Sequence, residues 1–335
     1  LTTHILLFYI YVYGTVHSFF QPLILRGGLA IFGRVRHIRV NCYHVTFKRS
    51  WNDHRCFHSS QLYPASTVND HSELTIEPDE ARKFQKLATY WWDPSGDLHA
   101  LHSMNRLRVP FIRDGLLSSC PTKAMQMASI SAERSYTPLT GFRIMDVGCG
   151  GGILSEPLAA IGADVLGIDQ VAESIDVAQQ HVKQAAYRWS SPDIKPPCYR
   201  LVSLESLVSE SPAQFDAVVM SEVLEHVTDW EEMIHQASLC LQPNGTLFIT
   251  TLNRTRASFL FAILGAEYLT RTVPRGTHEW AKFIEPTRLQ AAAVKCGLDP
   301  RQLLGMCYNP LTSCWSWSNS LAVNYAFSAV KGDRI

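Results

Sequence analysis

Glycines stand at positions 148, 150, 151 and 152, directly after the apolar run Arg143-Ile-Met-Asp-Val147. Glycine lets a backbone turn sharply and approach a ligand with no Cβ in the way. A helix expected from Gly152 to Ile161 would turn its first N–H groups towards that ligand. A second run, Asp164-Val-Leu-Gly-Ile168, ends at Asp169, 21 residues after Gly148. A carboxylate there is placed to accept both hydroxyls of a ribose. The dinucleotide fingerprint needs Gly or Ala as its third small residue, yet counting from Gly148 or Gly150 brings Ile153 or Ser155 to that place. Asp146, which opens the loop, would repel a pyrophosphate but suits a cationic amino acid. Asp146, Gly148, Gly150 and Asp169 together fit S-adenosylmethionine better than a dinucleotide. The bland alternative is a glycine-rich turn in another α/β protein.

A second constellation is Ser221-Glu222-Val-Leu-Glu225-His226, after the apolar run Phe215–Met220. If a helix begins there, Glu222, Glu225 and His226 fall at i, i+3 and i+4 on one face. Such a set could bind a divalent metal: Mg²⁺ through oxygen ligands and waters, or Zn²⁺ or Mn²⁺ because an imidazole is present. Equally, the three could hydrogen-bond locally, or His226 could act as a lone base. Upstream, Asn105 and Arg108 share a helical face. Arg108 could grip the carboxylate of a bound methionine bidentately, although spacing alone favours a solvent-facing Arg.

The elements that must position these residues alternate along the chain. Strands are expected at 143–147, 164–168, 198–203, 215–220 and 246–251, with helices at 171–186 and 230–241 and a turn at Pro243-Asn-Gly245. A helix over 286–296 and two closing strands, 298–304 and 324–331, complete the pattern. Strand–helix alternation with a glycine loop after the first strand implies a doubly wound α/β sheet, its site at the strands' carboxyl ends. Glu205, just after the third strand, would then flank an adenine. Two helices are expected before the sheet, over about 77–97 and 98–117, and could cover the cofactor pocket. Residues 253–283 form a long excursion after the fifth strand. There Phe259–Leu264 is apolar on all faces, with Arg254, Arg256, Arg271 and Arg275 flanking it. That is the make-up of an interfacial helix, too short to span a bilayer; a core helix or a lid is the alternative.

Composition sets the remaining bounds. A hydrophobic fraction of 46% against 18% charged residues suits a packed globular protein. Residues 1–52 hold six basic residues and no acidic ones, so the remainder carries 24 basic against 30 acidic. That balance argues against a nucleic-acid binder. An acid-free, Arg-bearing amino terminus reads as a mitochondrial targeting segment over residues 1–60. The rival, a secretory signal or membrane span at 5–20, is interrupted by Gly14, Thr15 and His17 and is short for a span. A linker follows over 61–80, and the main domain runs from 81 to 335. Nine cysteines without a C-x-x-C pair read as reduced thiols.

Asp146-Val-Gly-Cys-Gly-Gly-Gly-Ile-Leu-Ser-Glu-Pro157, Gly167-Ile-Asp169, Glu222-Val-Leu-Glu-His-Val227, Gly265-Ala-Glu-Tyr268 and Gly276-Thr-His-Glu-Trp280 together resemble the ubiquinone-biosynthesis O-methyltransferases. Trp91-Trp-Asp-Pro94, Leu101-His102, Asn105 and Arg108 are similar to that family's upstream segment. The resemblance covers about residues 80–332. It implies a class I methyltransferase fold with an N-terminal helical extension and a membrane-associating insertion. It also implies methylation of a phenolic hydroxyl on a polyprenylated dihydroxybenzoate and again on a demethylubiquinol. Arg108, Gly148, Asp169 and Ser221 would be cofactor contacts, and Glu222, Glu225 and His226 the Mg²⁺ ligands. Ser221 stands where the family often has Met, a change that matters little if the backbone makes the contact. His226 or His278 would take the acceptor's proton. The implied setting is the matrix side of the mitochondrial inner membrane, peripheral on the lipid surface, within a multi-subunit ubiquinone-biosynthesis complex. Two rivals remain: a metal-free methyltransferase of another small phenol or carboxylate, and a cofactor-binding scaffold with little activity.

Overall fold

The computed structural model describes residues 81–130, 136–255 and 282–332, apart from 83, 86–89, 94–95, 97, 192–193 and 211. The expected targeting segment, the linker, nearly all of the excursion after the fifth strand, and His278 lie outside the described residues.

Eight strands form one sheet in the order β3-β2-β1-β4-β5-β8-β6-β7. Five of them are parallel: β1 (Arg143–Val147), β2 (Asp164–Asp169), β3 (Cys198–Leu201), β4 (Phe215–Ser221) and β5 (Leu241–Leu252). β1 and β4 are buried almost end to end, as strands covered on both faces must be. Alternate residues feed two cores. Ile144, Ala217 and Val219 face one side, while Met145, Val218 and Met220 face the other. The strand order reverses between β1 and β4, which opens a crevice at their carboxyl ends.

On the first side, α1 (His99–Ser119) buries Met104, Arg108, Phe111, Ile112 and Leu116, a stripe at helical spacing. Arg108 therefore sits in line with the core residues of its helix. α2 (Pro121–Ile130) follows, and α3 (Ser155–Ala160) starts three residues later than expected because the glycine turn extends through Leu154. α4 (Ala172–Gln184) and α5 (Leu204–Glu210) follow β2 and β3. On the second side lie α6 (Trp230–Cys240) and α7 (Pro286–Lys295). α6 is capped by the Asp229 carboxylate, which accepts from the Glu232 N–H at 3.0 Å.

Two expectations need correction. The turn at Pro243–Gly245 lies inside β5 as an irregularity, with Asn244 at φ +62° and a register shift opposite Phe215–Ala217. The carboxyl-terminal part holds three strands, not two: β6 (Leu298–Asn309), β7 (Cys314–Ser318) and β8 (Asn324–Lys331). All of their pairings are antiparallel, so the sheet is mixed. The β6–β7 hairpin is anchored on α1. The Trp315 indole N–H donates to the Ala100 carbonyl at 2.9 Å, and His99 Nε2 lies 2.7 Å from the Tyr308 hydroxyl.

Candidate cofactor and methyl-transfer site

The glycine loop opens at the end of β1, where the N–H groups of Gly148 and Cys149 both donate to the Ile168 carbonyl at 2.8 and 3.0 Å. Gly148 and Gly150 adopt φ of +67° and +52°, in the left-handed region that favours glycine. A Cβ at 148 would lie 2.7 Å from Val223, and one at 150 would run into the Trp91 ring. Trp91 is thus the outer wall of the loop. Trp92 clips onto it, its indole N–H donating to the Gly151 carbonyl at 2.9 Å and its ring stacked 3.4 Å from His181. His181 Nδ1 is in turn 2.6 Å from the buried Glu156 carboxylate.

Asp169 accepts the Gly150 N–H on one oxygen and the Val171 N–H on the other, both at 2.9 Å. Its carboxylate therefore fixes the loop as well as facing the crevice. Burial raises its pKa against the opposing pull of those N–H bonds. Asp146 accepts from the Ser155 hydroxyl at 2.6 Å. Burial pushes its carboxyl up to about 6, with the Ser155 bond and the Arg108 charge pulling the other way. Glu205 is the second residue of α5, close to the point where the Val202 N–H donates to the Asp169 carbonyl at 3.1 Å. It thus follows the same edge of the crevice.

Arg108 is only 4% exposed, which overturns the solvent-facing alternative. Burial lowers its pKa to about 10, opposed by Glu222 and Asp146, so it stays charged near neutrality. Its Nε donates to Asn105 Oδ1 at 3.1 Å. Nη2 donates to the same oxygen at 2.7 Å and to the Leu101 carbonyl at 2.8 Å. Nη1 donates to the Ser221 hydroxyl at 2.7 Å. A guanidinium has five N–H donors, so among the described residues one Nη1 N–H remains. The bidentate grip expected from the sequence is not available here; a single directed donor is. Asn105 also donates from Nδ2 to the Ile153 carbonyl at 2.8 Å, tying α1 to the loop.

The expected helical face at 222–226 does not form. Glu222 has φ +58°, which breaks the helical path, and only Leu224–His226 makes a short 3-10 turn. Each acid is anchored to β5 separately: the Thr250 hydroxyl donates to Glu222 Oε1 and the Thr251 hydroxyl to Glu225 Oε2, both at 2.7 Å. The His226 ring meets the Phe84 ring edge-on at 5.1 Å. Among the described residues, no group of three or more His, Cys, Asp or Glu side chains is arranged to hold a metal ion. In this structure Glu222, Glu225 and His226 are not gathered round one point. Ser221 differs too, since its side chain and not only its backbone is engaged. Sequence reasoning missed Thr250, Thr251, Ser155 and the His181–Glu156 pair. Two hydroxyl residues ending the apolar run Leu247-Phe-Ile-Thr-Thr-Leu252 were the available signal for the first two.

A family model described as a methyltransferase domain matches residues 122–303, more than half of the chain. The mitochondrial ubiquinone biosynthesis O-methyltransferase of Homo sapiens is 43% identical over 270 residues, covering 80% of this chain and 69% of that one. That of Bos taurus is 40% identical over 302 residues, covering 90% of this chain and 76% of its own. A bacterial ubiquinone biosynthesis O-methyltransferase, from Azorhizobium caulinodans, is 41% identical over 254 residues, 76% of this chain and 93% of its own. The chain belongs to the ubiquinone biosynthesis O-methyltransferase family. As a member of this family it is an S-adenosylmethionine-dependent methyltransferase with the mixed α/β sheet of that class. The bacterial ubiquinone biosynthesis O-methyltransferase aligns over nearly its whole length, so the shared machinery lies in the part of the chain that carries the glycine loop.

Proposed function

We propose that the protein methylates a phenolic hydroxyl of a polyprenylated dihydroxybenzoate and of a demethylubiquinol, in ubiquinone biosynthesis. The observation that carries this reading is the convergence of the glycine loop, Asp169 and the buried Arg108 on the crevice between β1 and β4. The cradle fits S-adenosylmethionine: Gly148 and Gly150 leave room that a Cβ would fill, and the two flanking acids suit a ligand with an ammonium and a ribose. Asp169 would take the ribose hydroxyls, Asp146 the ammonium side and Arg108 the carboxylate, with Glu205 beside the adenine. When bound, the cofactor supplies an electrophilic methyl group on a sulfonium. The chain's part is to align the acceptor oxygen in line with that methyl and to exclude water. It must also take the phenolic proton, and His226 or His278 is assigned that role; a well-placed base contributes roughly 10²–10⁴ in rate.

The chemistry of the acceptor extends the reading. A polyprenylated phenol partitions into lipid, and the apolar, Arg-flanked segment 259–264 would bring the enzyme to the matrix face of the mitochondrial inner membrane, within a biosynthetic complex. The mitochondrial relatives support that compartment. A second reading is transfer without a metal, since the described residues hold no group of three or more His, Cys, Asp or Glu side chains arranged for one.

The test is methyl transfer from labelled S-adenosylmethionine to a short-prenyl dihydroxybenzoate, with and without EDTA. Transfer that survives the chelator supports the metal-free reading. Transfer lost to EDTA and recovered with one ion restores the metal. Cofactor binding with no catechol turnover would refute the enzyme assignment in favour of a scaffold.

A further inference from the structure

Thr250 lies buried at the carboxyl end of β5 and holds three groups at once. Its hydroxyl donates to Glu222 Oε1 and lies 2.7 Å from Ser221 Oγ. Its carbonyl accepts the Glu222 N–H at 2.9 Å. The direction of the protons is forced. A guanidinium can only donate and an ionised carboxylate can only accept. Arg108 therefore gives to Ser221, Ser221 must give its one proton to Thr250, and Thr250 gives its own to Glu222. A chain of hydroxyls between a cation and an anion is polarised the same way at every bond, and each bond strengthens the next. Glu222 also sits at φ +58°, a left-handed backbone conformation that non-glycine residues seldom adopt. Thr250 holds both its main chain and its side chain.

We propose that Thr250 is a positioning residue of the methyl-transfer site. Its hydroxyl and carbonyl fix Ser221, and through it the free N–H of Arg108, together with the carboxylate of Glu222. The cofactor clamp and the Glu222 carboxylate are thus set as one unit. This rests on the reading that Arg108 takes the cofactor's carboxylate.

The test compares the whole protein with T250V, T250S, S221A and R108K. Affinity for S-adenosylmethionine is read by calorimetry, and kcat and KM by methyl transfer. Leaving buried donors and acceptors unmatched predicts a loss of affinity of about tenfold in T250V, carried in the KM for S-adenosylmethionine more than in kcat. T250S, which keeps the hydroxyl, should recover wild-type affinity. S221A should lose as much as T250V, and the double variant no more than either, because both break one path. A folded T250V that binds like wild type overturns the proposal, as does a loss that T250S fails to rescue or one that adds fully to S221A. If T250V does not fold, S221A decides: tenfold weaker binding supports the relay and unchanged binding overturns it. R108K separates the two layers. Unchanged affinity there refutes the role of Arg108 itself, whereas a loss there with none in T250V refutes Thr250 alone.

Discussion

Burial pushes the Asp146 carboxyl up to about 6, well above the usual carboxylate range, so the folded protein pays to ionise it. The unfolded chain ionises the same group near pH 4. Between those values the folded state binds the extra proton, and this group's contribution to stability falls as pH rises from about 4 to about 6, then levels off. An Asp146→Asn variant lacks that contribution. The difference in melting temperature, wild type minus variant, should therefore decline across that interval and stay flat above it. A flat difference throughout would show that Asp146 is not desolvated. The variant should also bind S-adenosylmethionine more weakly. The glycines and Asp169 were legible because their spacing is local. The Thr250–Glu222 contact was not, since 28 residues separate the partners and one positive φ at Glu222 redirects the side chain. Arg108 had a signal that went unused: it stands in the apolar stripe of its own helix.

At the scale of elements, α2 is tied to the sheet at the end opposite the crevice. Lys123 Nζ donates to both oxygens of the buried Asp216 at 2.6 Å, and the Arg143 N–H donates to the same carboxylate at 2.7 Å. The Gln242 amide completes the set. Asp216→Ala strands these donors and should cost about 3 kcal/mol of stability, measured by urea denaturation, with the KM for S-adenosylmethionine unchanged. An altered KM would mean that strain travels along β4 to the crevice. The parallel strands were readable from their apolar runs, and β1 has the bounds expected of it. β7 carries little sequence signal: Cys-Trp-Ser-Trp-Ser is half-exposed at a sheet edge, and its partner β6 runs to Asn309, past the expected end at 304. The helix expected at 222 failed for the opposite reason, a pattern compatible with a helix but broken by one residue's backbone.

For the whole molecule, no helix among the described residues is long and apolar enough to cross a membrane. In the proposed reading the apolar segment 259–264, which lies outside the described residues, would bring the enzyme to its acceptor. Replacing Phe259 and Phe261 with Ser should abolish co-sedimentation with anionic vesicles while leaving turnover of a short-chain analogue intact. Unchanged sedimentation would end that idea.

Trp91 and Trp92 come before the first strand, and before α1, yet they form the wall and the clip of the glycine loop. Any shortening of the amino terminus that spares the loop must therefore stop before residue 91. A cut past residue 92 would strip Gly150 and Gly151 of their support. A chain shortened that far would keep its architecture and lose its grip.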